Sequence, residues 1–253
     1  MSTLASTLGE HYQFLLSLYL AVGVALILTA LNLLGRLIPV LRQTQVLNQQ
    51  VADSRMQRDY YRKAQSRSRF WGTVPLLAGF LLVFPFCLTD ASQPWWKIGL
   101  DIVVILMFYD FFYYLTHRFL FHDGPLGGPL LQVHAIHHQN KNPCRQDSNY
   151  LHPLETVIGV VLFVASVGVL SLLLGKFSLI TLLVTHVAYL AINTHNHDQV
   201  EAEARFPFRY WHYAAFLHHV HHSRFTSGNY ATITPFYDWL FGTLDHGAGH
   251  GRK

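Results

Sequence analysis

The chain has 253 residues, of which 51% are hydrophobic, 14% aromatic and 13% charged, with a formal net charge of +4 at pH 7. This composition is too apolar for an ordinary soluble domain, and long uncharged runs indicate an integral membrane protein. The positive charge is concentrated in one segment, which argues against a nucleic-acid-binding face, and the two cysteines form no CxxC pair.

The N-terminal part divides into an apolar run and a basic segment. Residues 14–35 contain no charge and have about the length that a bilayer core requires. Residues 41–70 are polar and carry seven basic side chains, opposed by two aspartates. Because basic loops stay on the cytoplasmic side, we expect 41–70 to be a cytoplasmic helix on the membrane surface or a polar connector.

Four further apolar runs form two predicted helical hairpins. The first covers 71–89 and 98–117, with a break at Pro94, and the second covers 154–174 and 177–193. Five spans with 41–70 inside place the N-terminus outside and the segments 118–153 and 194–253 inside. The predicted fold is therefore all-α: an N-terminal span and two transmembrane hairpins, capped by a cytoplasmic histidine-rich helical region.

Two aspartates lie within the second limb of the first hairpin, where an unpaired charge is costly. Asp110 precedes His117 by two helical turns on the same face. It either supports a metal ligand through a hydrogen bond or bonds to a neighbouring helix.

Histidines are concentrated in three motifs. The motifs are H-x4-H at 117 and 122 and two copies of H-x-x-H-H, at 134, 137 and 138 and at 218, 221 and 222. Positions i, i+3 and i+4 of a helix share a face, so each triplet is expected to point three imidazoles one way. His117 and His122 lie about 140° apart on an ideal helix and converge only if the helix ends or loosens between them.

The motifs predict a metal site, because imidazole is the commonest neutral nitrogen ligand. Either His195 or His197, just past the last span, is expected to join the eight motif histidines, and nine ligands imply two metal ions. His219 is a weaker candidate at the rim of its helix face. His152 is a ligand or supports one, and His186 bonds to a backbone carbonyl within a span. His11, His212, His246 and His250 are interpreted as surface residues.

The three motifs resemble those of the fatty acid hydroxylase / sterol desaturase superfamily. The residues that follow them, Asn229-Tyr230 and Asp238 with Phe241-Gly242-Thr243, resemble that superfamily as well. Asp110 and Tyr114 ahead of His117, and HPLE at 152–155, match further landmarks of that family. The resemblance covers about 100–245. It implies a membrane-bound di-iron centre, in which zinc can replace iron in purified protein, that uses O2 to hydroxylate or desaturate a C–H bond of a lipid. The family's additional histidine after the last span matches His195 best.

The resemblance makes 71–253 the di-iron domain and 1–70 an N-terminal addition. No GxGxxG, Walker loop or nucleophile elbow is present, so electrons are expected from a partner of ferredoxin, cytochrome b5 or reductase type. The expected location is a bacterial inner membrane, or the endoplasmic reticulum in a eukaryote, with the active site on the cytoplasmic face. Two other classes are a histidine-rich metal transporter, which requires polar residues through several spans, and a bis-histidine haem protein, which requires ligands deep within them.

Overall fold

The computed structural model describes residues 11–122, 128–200 and 206–248 of the chain. Its membrane part contains seven described helices and a pair of two-residue strands: α1 Phe14–Gly35, α2 Pro39–Met56, α3 Asp59–Ala78, α4 Phe84–Cys87, β1 Leu88–Thr89, α5 Trp95–Thr116, α7 Pro153–Leu174, β2 Phe177–Ser178 and α8 Leu179–His195. The histidine-bearing end contains the shorter helices α6 Leu131–His134, α9 Arg209–Ser223 and α10 Phe236–Leu240. The prediction of an all-α membrane protein is confirmed.

Among the described residues, four helical segments are long and apolar enough to cross a membrane: Phe14–Gly35, Asp59–Cys87, Trp95–Phe121 and Pro153–Leu174. The fifth predicted run forms the apolar helix α8, which has 17 residues and is therefore only about 25 Å long. Helix α8 packs against α1 and α5, and the strand before it pairs in parallel with β1. The two hairpins are thus joined at the end opposite the histidines.

The basic segment is helical, which is one of the two forms predicted for it, but its second helix does not end before the apolar run. It forms two helices, and α3 begins at Asp59 and continues without interruption into the apolar run. Arginine and lysine are good helix formers, so the charges in 59–70 extend the helix beyond the bilayer instead of ending it. The resulting segment, Asp59–Cys87, has 29 residues and is about 43 Å long, longer than a bilayer core.

Helix α1 packs where the α3 helix is irregular. A π-helical turn, Gly79–Val83, separates α3 from α4, and Pro85 has no N–H to bond the Leu81 carbonyl. The Tyr12 hydroxyl donates to this Leu81 carbonyl at 2.7 Å, and Ser17 Oγ donates to the Phe80 carbonyl at 2.5 Å. These two side chains replace bonds that a regular helix would make, and they fix α1 against the first hairpin.

Aromatic side chains form the core between α5, α7 and α8. Phe163 stacks on Tyr189 with ring centroids 4.1 Å apart, and Tyr109 meets both rings edge-on. Below them, His186 bonds through Nδ1 to the Leu182 carbonyl at 2.8 Å, as predicted for a histidine within a span. Asp101, the other intramembrane aspartate, pairs with Lys97 one turn earlier at 2.5 Å.

Candidate metal centre

Nine histidines form two groups at the end of the bundle, and in each group the ligand nitrogens all lie within 4.8 Å of one another. The first group contains His117, His122, His134, His138 and His221. The second group contains His137, His197, His218 and His222. Every predicted metal-binding histidine except His195 belongs to one of the two groups.

Each H-x-x-H-H motif is divided between the groups, so the prediction that a triplet points one way is wrong. In the first motif, His134 and His138 join the first group and His137 joins the second. In the second motif, His218 and His222 join the second group and His221 joins the first. The first motif is not a single helix, because α6 ends at His134 and a separate 3-10 turn covers His137–Gln139. In α9, His221 is about 60° from His218 and about 100° from His222, which lets adjacent residues face different groups.

A π-helical turn brings His117 and His122 together. It covers His117–Phe121, and the His122 amide bonds to the His117 carbonyl at 3.1 Å, five residues earlier. The extra residue per turn reduces the angle between the two side chains, and their ring centroids are 5.0 Å apart. This is the loosening that the H-x4-H spacing requires.

Backbone carbonyls of one segment, Phe225–Tyr230, orient three imidazoles of the first group. The Nδ1 atoms of His117, His122 and His221 lie 2.7, 2.9 and 2.8 Å from the carbonyl oxygens of Tyr230, Phe225 and Gly228. Because a carbonyl only accepts, each Nδ1 carries the proton and each Nε2 keeps a lone pair. Within the described part of the chain, Nε2 of His122 and Nε2 of His221 are buried without a hydrogen-bond partner.

His134 is oriented by a carboxylate. Its Nδ1 lies 2.7 Å from Oε1 of Glu155, and its Nε2 faces Nε2 of His117 at 3.0 Å and Nε2 of His138 at 2.9 Å. The carboxylate accepts the Nδ1 proton, which leaves the lone pairs of His134 and His117 pointing at each other. Such an arrangement is favourable when a cation lies between the nitrogens, and a ligating imidazole commonly donates its other N–H in this way.

The second group is built in the same manner. Nδ1 of His197 donates to the Asn193 carbonyl at 2.9 Å, and its Nε2 lies 3.1 Å from Nε2 of His137 and 3.0 Å from Nε2 of His218. Nε2 of His222 lies 3.1 Å from Nε2 of His218. Both donor sets therefore fit a metal that accepts nitrogen ligands.

Burial keeps these imidazoles in the neutral form that binds metal. Loss of solvation lowers the pKa of His197 to about 4 and the pKa of His221 to about 4. The same cause lowers the pKa of His122 to about 2. A protonated imidazole has no lone pair for a metal, so all three side chains are available as ligands at neutral pH.

His195 lies outside both groups, and His197 takes the place expected for it. Nδ1 of His195 bonds to Oδ2 of Asp198 at 2.7 Å, and its ring packs on Trp211 with centroids 5.0 Å apart. Helix α8 ends at His195, so the two histidines leave the helix end in different directions. Asp198 also accepts two bonds from Arg145; burial opposes its charge, but these hydrogen bonds lower its pKa.

Neither of the other predicted site residues contacts a histidine of the two groups. His152 is the N-cap of α7, and its Nδ1 accepts the Leu154 amide at 3.1 Å. Asp110 accepts the amides of Thr232 and Ile233, each at 2.8 Å, and thereby holds the segment that orients His117. These partners lie in a loop and not in a neighbouring helix, so Asp110 plays neither of the two roles predicted for it, and its effect on the first group is indirect.

Two carboxylates near the histidines had no role assigned from sequence. Glu155 was noted only as a family landmark, although a carboxylate in the first turn of an apolar helix is itself a signal. Asp238 accepts the amides of Tyr230 and Ala231, each at 2.8 Å, and so fixes the same segment as Asp110. In that segment Gly228 lies so close to Thr243 that a Cβ atom would be 1.6 Å from its carbonyl oxygen.

The remaining histidines that the structure describes do not belong to either group. His219 bonds through Nε2 to the Asp198 carbonyl at 3.0 Å, and His246 bonds through Nδ1 to the Tyr213 hydroxyl at 3.1 Å. His11 is exposed, whereas His212 is half-buried. His250 lies outside the described residues.

A cavity of about 360 Å³ lies between α3, α5, α7 and α8 and reaches the second group. His137, His197 and His218 form its end, and Glu155 also contributes to the wall. The walls along the helices are mainly apolar and aromatic, and include Leu76, Tyr109, Tyr113, Phe121, Leu162 and Leu190. The cavity therefore connects the interior of the membrane bundle with the histidine end.

The fold and the two histidine groups define a helical membrane protein with a candidate dinuclear metal centre. Residues 102–243 match the fatty acid hydroxylase family, and the chain belongs to this family. The match includes all nine histidines of the two groups, and it confirms the resemblance seen in the sequence.

Three relatives illustrate the similarity. Methylsterol monooxygenase 2-2 of Arabidopsis thaliana is 30% identical over 183 residues, which cover 67% of this chain and 63% of that protein. The very-long-chain aldehyde decarbonylase GL1-5 of Oryza sativa subsp. indica is 25% identical over 190 residues, 71% of this chain and 30% of that protein. Protein CER1-like 2 of Arabidopsis thaliana is 26% identical over 166 residues, 61% of this chain and 26% of that protein. The chain thus spans less than two thirds of each relative, and no solved structure matches it significantly.

Proposed function

We propose that the protein is an O2-dependent oxidoreductase that hydroxylates or desaturates a C–H bond of a membrane lipid at a centre of two iron ions. The observation that carries this proposal is the pair of histidine groups, one of which forms the end of an apolar cavity between membrane helices. The family and the relatives named above support a lipid-oxidising enzyme.

The protein side chains would divide the work between them. The five histidines of the first group would together hold one ion, and the four of the second group would hold the other. Iron would supply the redox chemistry of oxygen activation. Glu155 and the carbonyls of Phe225, Gly228 and Tyr230 keep the ligating nitrogens unprotonated and oriented. The cavity excludes water and holds the lipid chain beside His137, His197 and His218.

The substrate and the electron donor are further parts of the proposal. A cavity with apolar walls, open among membrane helices, fits an acyl chain or a sterol-like lipid. Electrons would come from a ferredoxin, a cytochrome b5 or a reductase, because the sequence has no nucleotide-binding motif. The names of the relatives include both monooxygenases and decarbonylases, so the product must be identified by experiment.

We also propose that the histidine end faces the cytoplasm of a bacterial cell, or of a eukaryotic cell if the membrane is the endoplasmic reticulum. The support is the distribution of basic residues: Arg55, Arg58, Arg62 and Lys63 lie at the same end as the loop that contains Asp147, to which Arg55 is paired. A reporter fused after Lys253 should be cytoplasmic and one fused before Met1 external. Finding both ends on one side would contradict the five-span topology.

Transport of metal ions is less well supported. A transporter requires polar sites along several spans, whereas the nine grouped histidines lie together at one end of the bundle. Within the described apolar helices, Lys97 and Asp101 are paired with each other.

Lipid mass spectrometry tests the reaction directly. Lipids of cells that express the protein should be compared with those of cells that express its His221→Ala variant, with and without O2. A mass gain of one oxygen indicates hydroxylation, loss of two hydrogens indicates desaturation, and loss of one carbon together with one oxygen from an aldehyde indicates decarbonylation. If the lipids are the same in both cells while purified protein holds two iron ions, the proposed enzymatic activity is wrong.

A further inference from the structure

A second, polar cavity of about 430 Å³ lies where α1 ends and α2 begins, next to the loop that joins α6 to α7. Its lining includes three arginines, Arg36, Arg42 and Arg145, and the amide side chains of Gln45, Asn48 and Gln49. It shares no lining residue with the apolar cavity that reaches the second group. It is therefore a separate site.

The cavity carries uncompensated positive charge. Arg145 is paired with Asp198, with Nε 2.7 Å from Oδ1 and Nη2 2.5 Å from Oδ2. Arg36 and Arg42 are exposed, and neither forms a salt bridge with any carboxylate in the described ranges. The lining contains no Asp or Glu, so the cavity is suited to an anion.

The position of the cavity places that anion at the membrane interface. Arg36 is the first residue after the span Phe14–Gly35, and the neighbouring side chains of Leu33, Leu34 and Leu37 are 51%, 55% and 78% exposed. The 18-residue helix α2 starts at Pro39 with no acidic residue in its first turn, so its N-terminal dipole adds to the positive potential. Exposed leucines beside unpaired arginines fit a molecule with both acyl chains and a negative head group.

We propose that this cavity binds the phosphate group of an anionic phospholipid, with the acyl chains along the exposed leucines of α1. Guanidinium groups bind phosphate oxygens through paired N–H donors, which Arg36 and Arg42 supply here, whereas the amide nitrogens of Gln45 and Gln49 are already bonded to Asn32 and Asp53. A free phosphate ion shares this head-group chemistry but would leave the adjacent apolar surface uncovered. The bound lipid is distinct from the substrate, because the two cavities have separate linings.

The phosphate site is connected to the second histidine group through Asn48. Oδ1 of Asn48 accepts the amides of Arg145 at 2.8 Å and Gln199 at 2.9 Å, and its Nδ2 donates to the Gln199 carbonyl at 2.9 Å. Gln199 follows His197 by two residues, and Arg145 holds Asp198. A lipid that fixes α2 and Arg145 therefore stabilises the chain segment on which His197 lies.

Lipid binding to the delipidated, metal-loaded protein tests the proposal. Native mass spectrometry would follow binding of phosphatidylglycerol and of phosphatidylcholine to the wild type and to Arg36→Gln/Arg42→Gln. The matched control, Arg58→Gln/Arg67→Gln, removes the same charge from exposed positions of the same basic region that do not line the cavity. A second pair, Gln49→Glu and Gln49→Lys, changes the cavity charge in opposite directions at an exposed residue.

We expect the wild type to prefer phosphatidylglycerol. Each arginine near an anionic group contributes a factor of about five, so Arg36→Gln/Arg42→Gln should weaken binding roughly twenty-five-fold while the control retains it. Gln49→Glu should weaken binding and Gln49→Lys should strengthen it. Equal affinities of the wild type, Arg36→Gln/Arg42→Gln and the control would overturn the proposal.

Thermal unfolding separates the two sources of phosphate. Phosphatidylglycerol should raise the melting temperature of the wild type in detergent, but not that of Arg36→Gln/Arg42→Gln. If inorganic phosphate raises the melting temperature of the wild type as much as phosphatidylglycerol does, the site takes the free ion and the assignment to a lipid is wrong. Both readouts are independent of enzymatic activity.

Discussion

The side chains of His134 and Glu155 meet at 2.7 Å, between Nδ1 and Oε1, with both residues buried. The carboxylate stabilises the proton on Nδ1 and makes Nε2 a stronger metal ligand. We predict that Glu155→Gln, which keeps the shape but loses the charge, lowers the metal affinity of the first group about 10- to 100-fold. Competition with a chelator, followed by metal analysis, measures this change.

His152→Ala is the matched control for Glu155→Gln, since both residues lie at the start of α7. It removes the N-cap acceptor of the Leu154 amide, which costs about 1 kcal/mol of stability, and it should leave metal affinity unchanged. Metal loss from His152→Ala as large as that from Glu155→Gln would show that both act only through the stability of α7.

The neighbouring positions His195 and His197 give the second prediction. His197→Ala should lower the metal content from two ions toward one, because its Nε2 faces His137 and His218. His195→Ala should keep two ions but lower the unfolding free energy by about 1–3 kcal/mol, because the buried Asp198 loses one partner. Elemental analysis and thermal unfolding of both variants test this; the opposite pattern would restore His195 as the ligand.

The division of the motifs gives the third prediction. His221→Ala should weaken the first group, so that a chelator removes its ion first and leaves the four nitrogens of the second group, whereas His222→Ala should weaken the second group and leave the five nitrogens of the first. X-ray absorption of the single remaining ion would count its nitrogen ligands. His219→Ala is the control and should retain both ions, because its ring bonds to the Asp198 carbonyl. Identical spectra for His221→Ala and His222→Ala would contradict two separate groups.

The apolar cavity gives the fourth prediction. Gly159 lies in its wall, and a Cβ atom there would meet nothing within 4 Å, so Gly159→Phe can fill the cavity without displacing the backbone. Metal content should be unchanged, and turnover of the natural lipid should fall on the order of 100-fold because its reacting carbon is misplaced. Gly99→Phe is the control, since Gly99 also has open space but does not line the cavity. Equal turnover of the two variants would exclude this cavity as the substrate site.

The fifth prediction concerns Asp238 and pH. Burial raises the pKa of its carboxyl to about 6, although Thr243, Ala231 and Tyr230 donate hydrogen bonds to it. The raised pKa means that its contribution to stability is fully present below about pH 4, the unfolded value, and is lost as the pH rises through about 6. Asp238→Asn has no such titration.

The measurement is the difference in melting temperature between wild type and Asp238→Asn across this pH range, with both proteins free of metal. Converted to a free energy of unfolding, the stability of the wild type relative to Asp238→Asn should fall by up to about 3 kcal/mol as the pH rises. Titration of the histidines affects both proteins equally and cancels in the difference. A difference that does not change with pH would refute the prediction.

The apolar runs and the need for a loosened helix after His117 were predictable, because both depend on local features of the chain. A run without charges must lie in the membrane, and two histidines five residues apart must find a way to converge. The start of α3 at Asp59 was not predictable from charge, because Arg62 and Lys63 are compatible with a loop and with a helix that extends into water.

The partition of the histidines could not be read from spacing. The rule that i, i+3 and i+4 share a face assumes a continuous helix, but α6 ends at His134. Whether His195 or His197 enters the second group depends on where α8 ends, and helix ends are the least predictable feature of a sequence. The acceptors of three Nδ1 protons are backbone carbonyls, which leave no mark on residue identity.

The segment Phe225–Tyr230 has a consequence for biosynthesis. Its carbonyls bond His117 and His122, which are more than 100 residues earlier, and Asp110 in α5 receives its amide donors from Thr232 and Ile233. A nascent chain can insert α5 into the bilayer. The tautomers of His117 and His122 are not fixed, however, until Phe225–Tyr230 has left the ribosome. We therefore expect the polypeptide to meet the membrane first and the proposed metal ions to bind afterwards, so that an interrupted translation product would be inserted without being able to retain them.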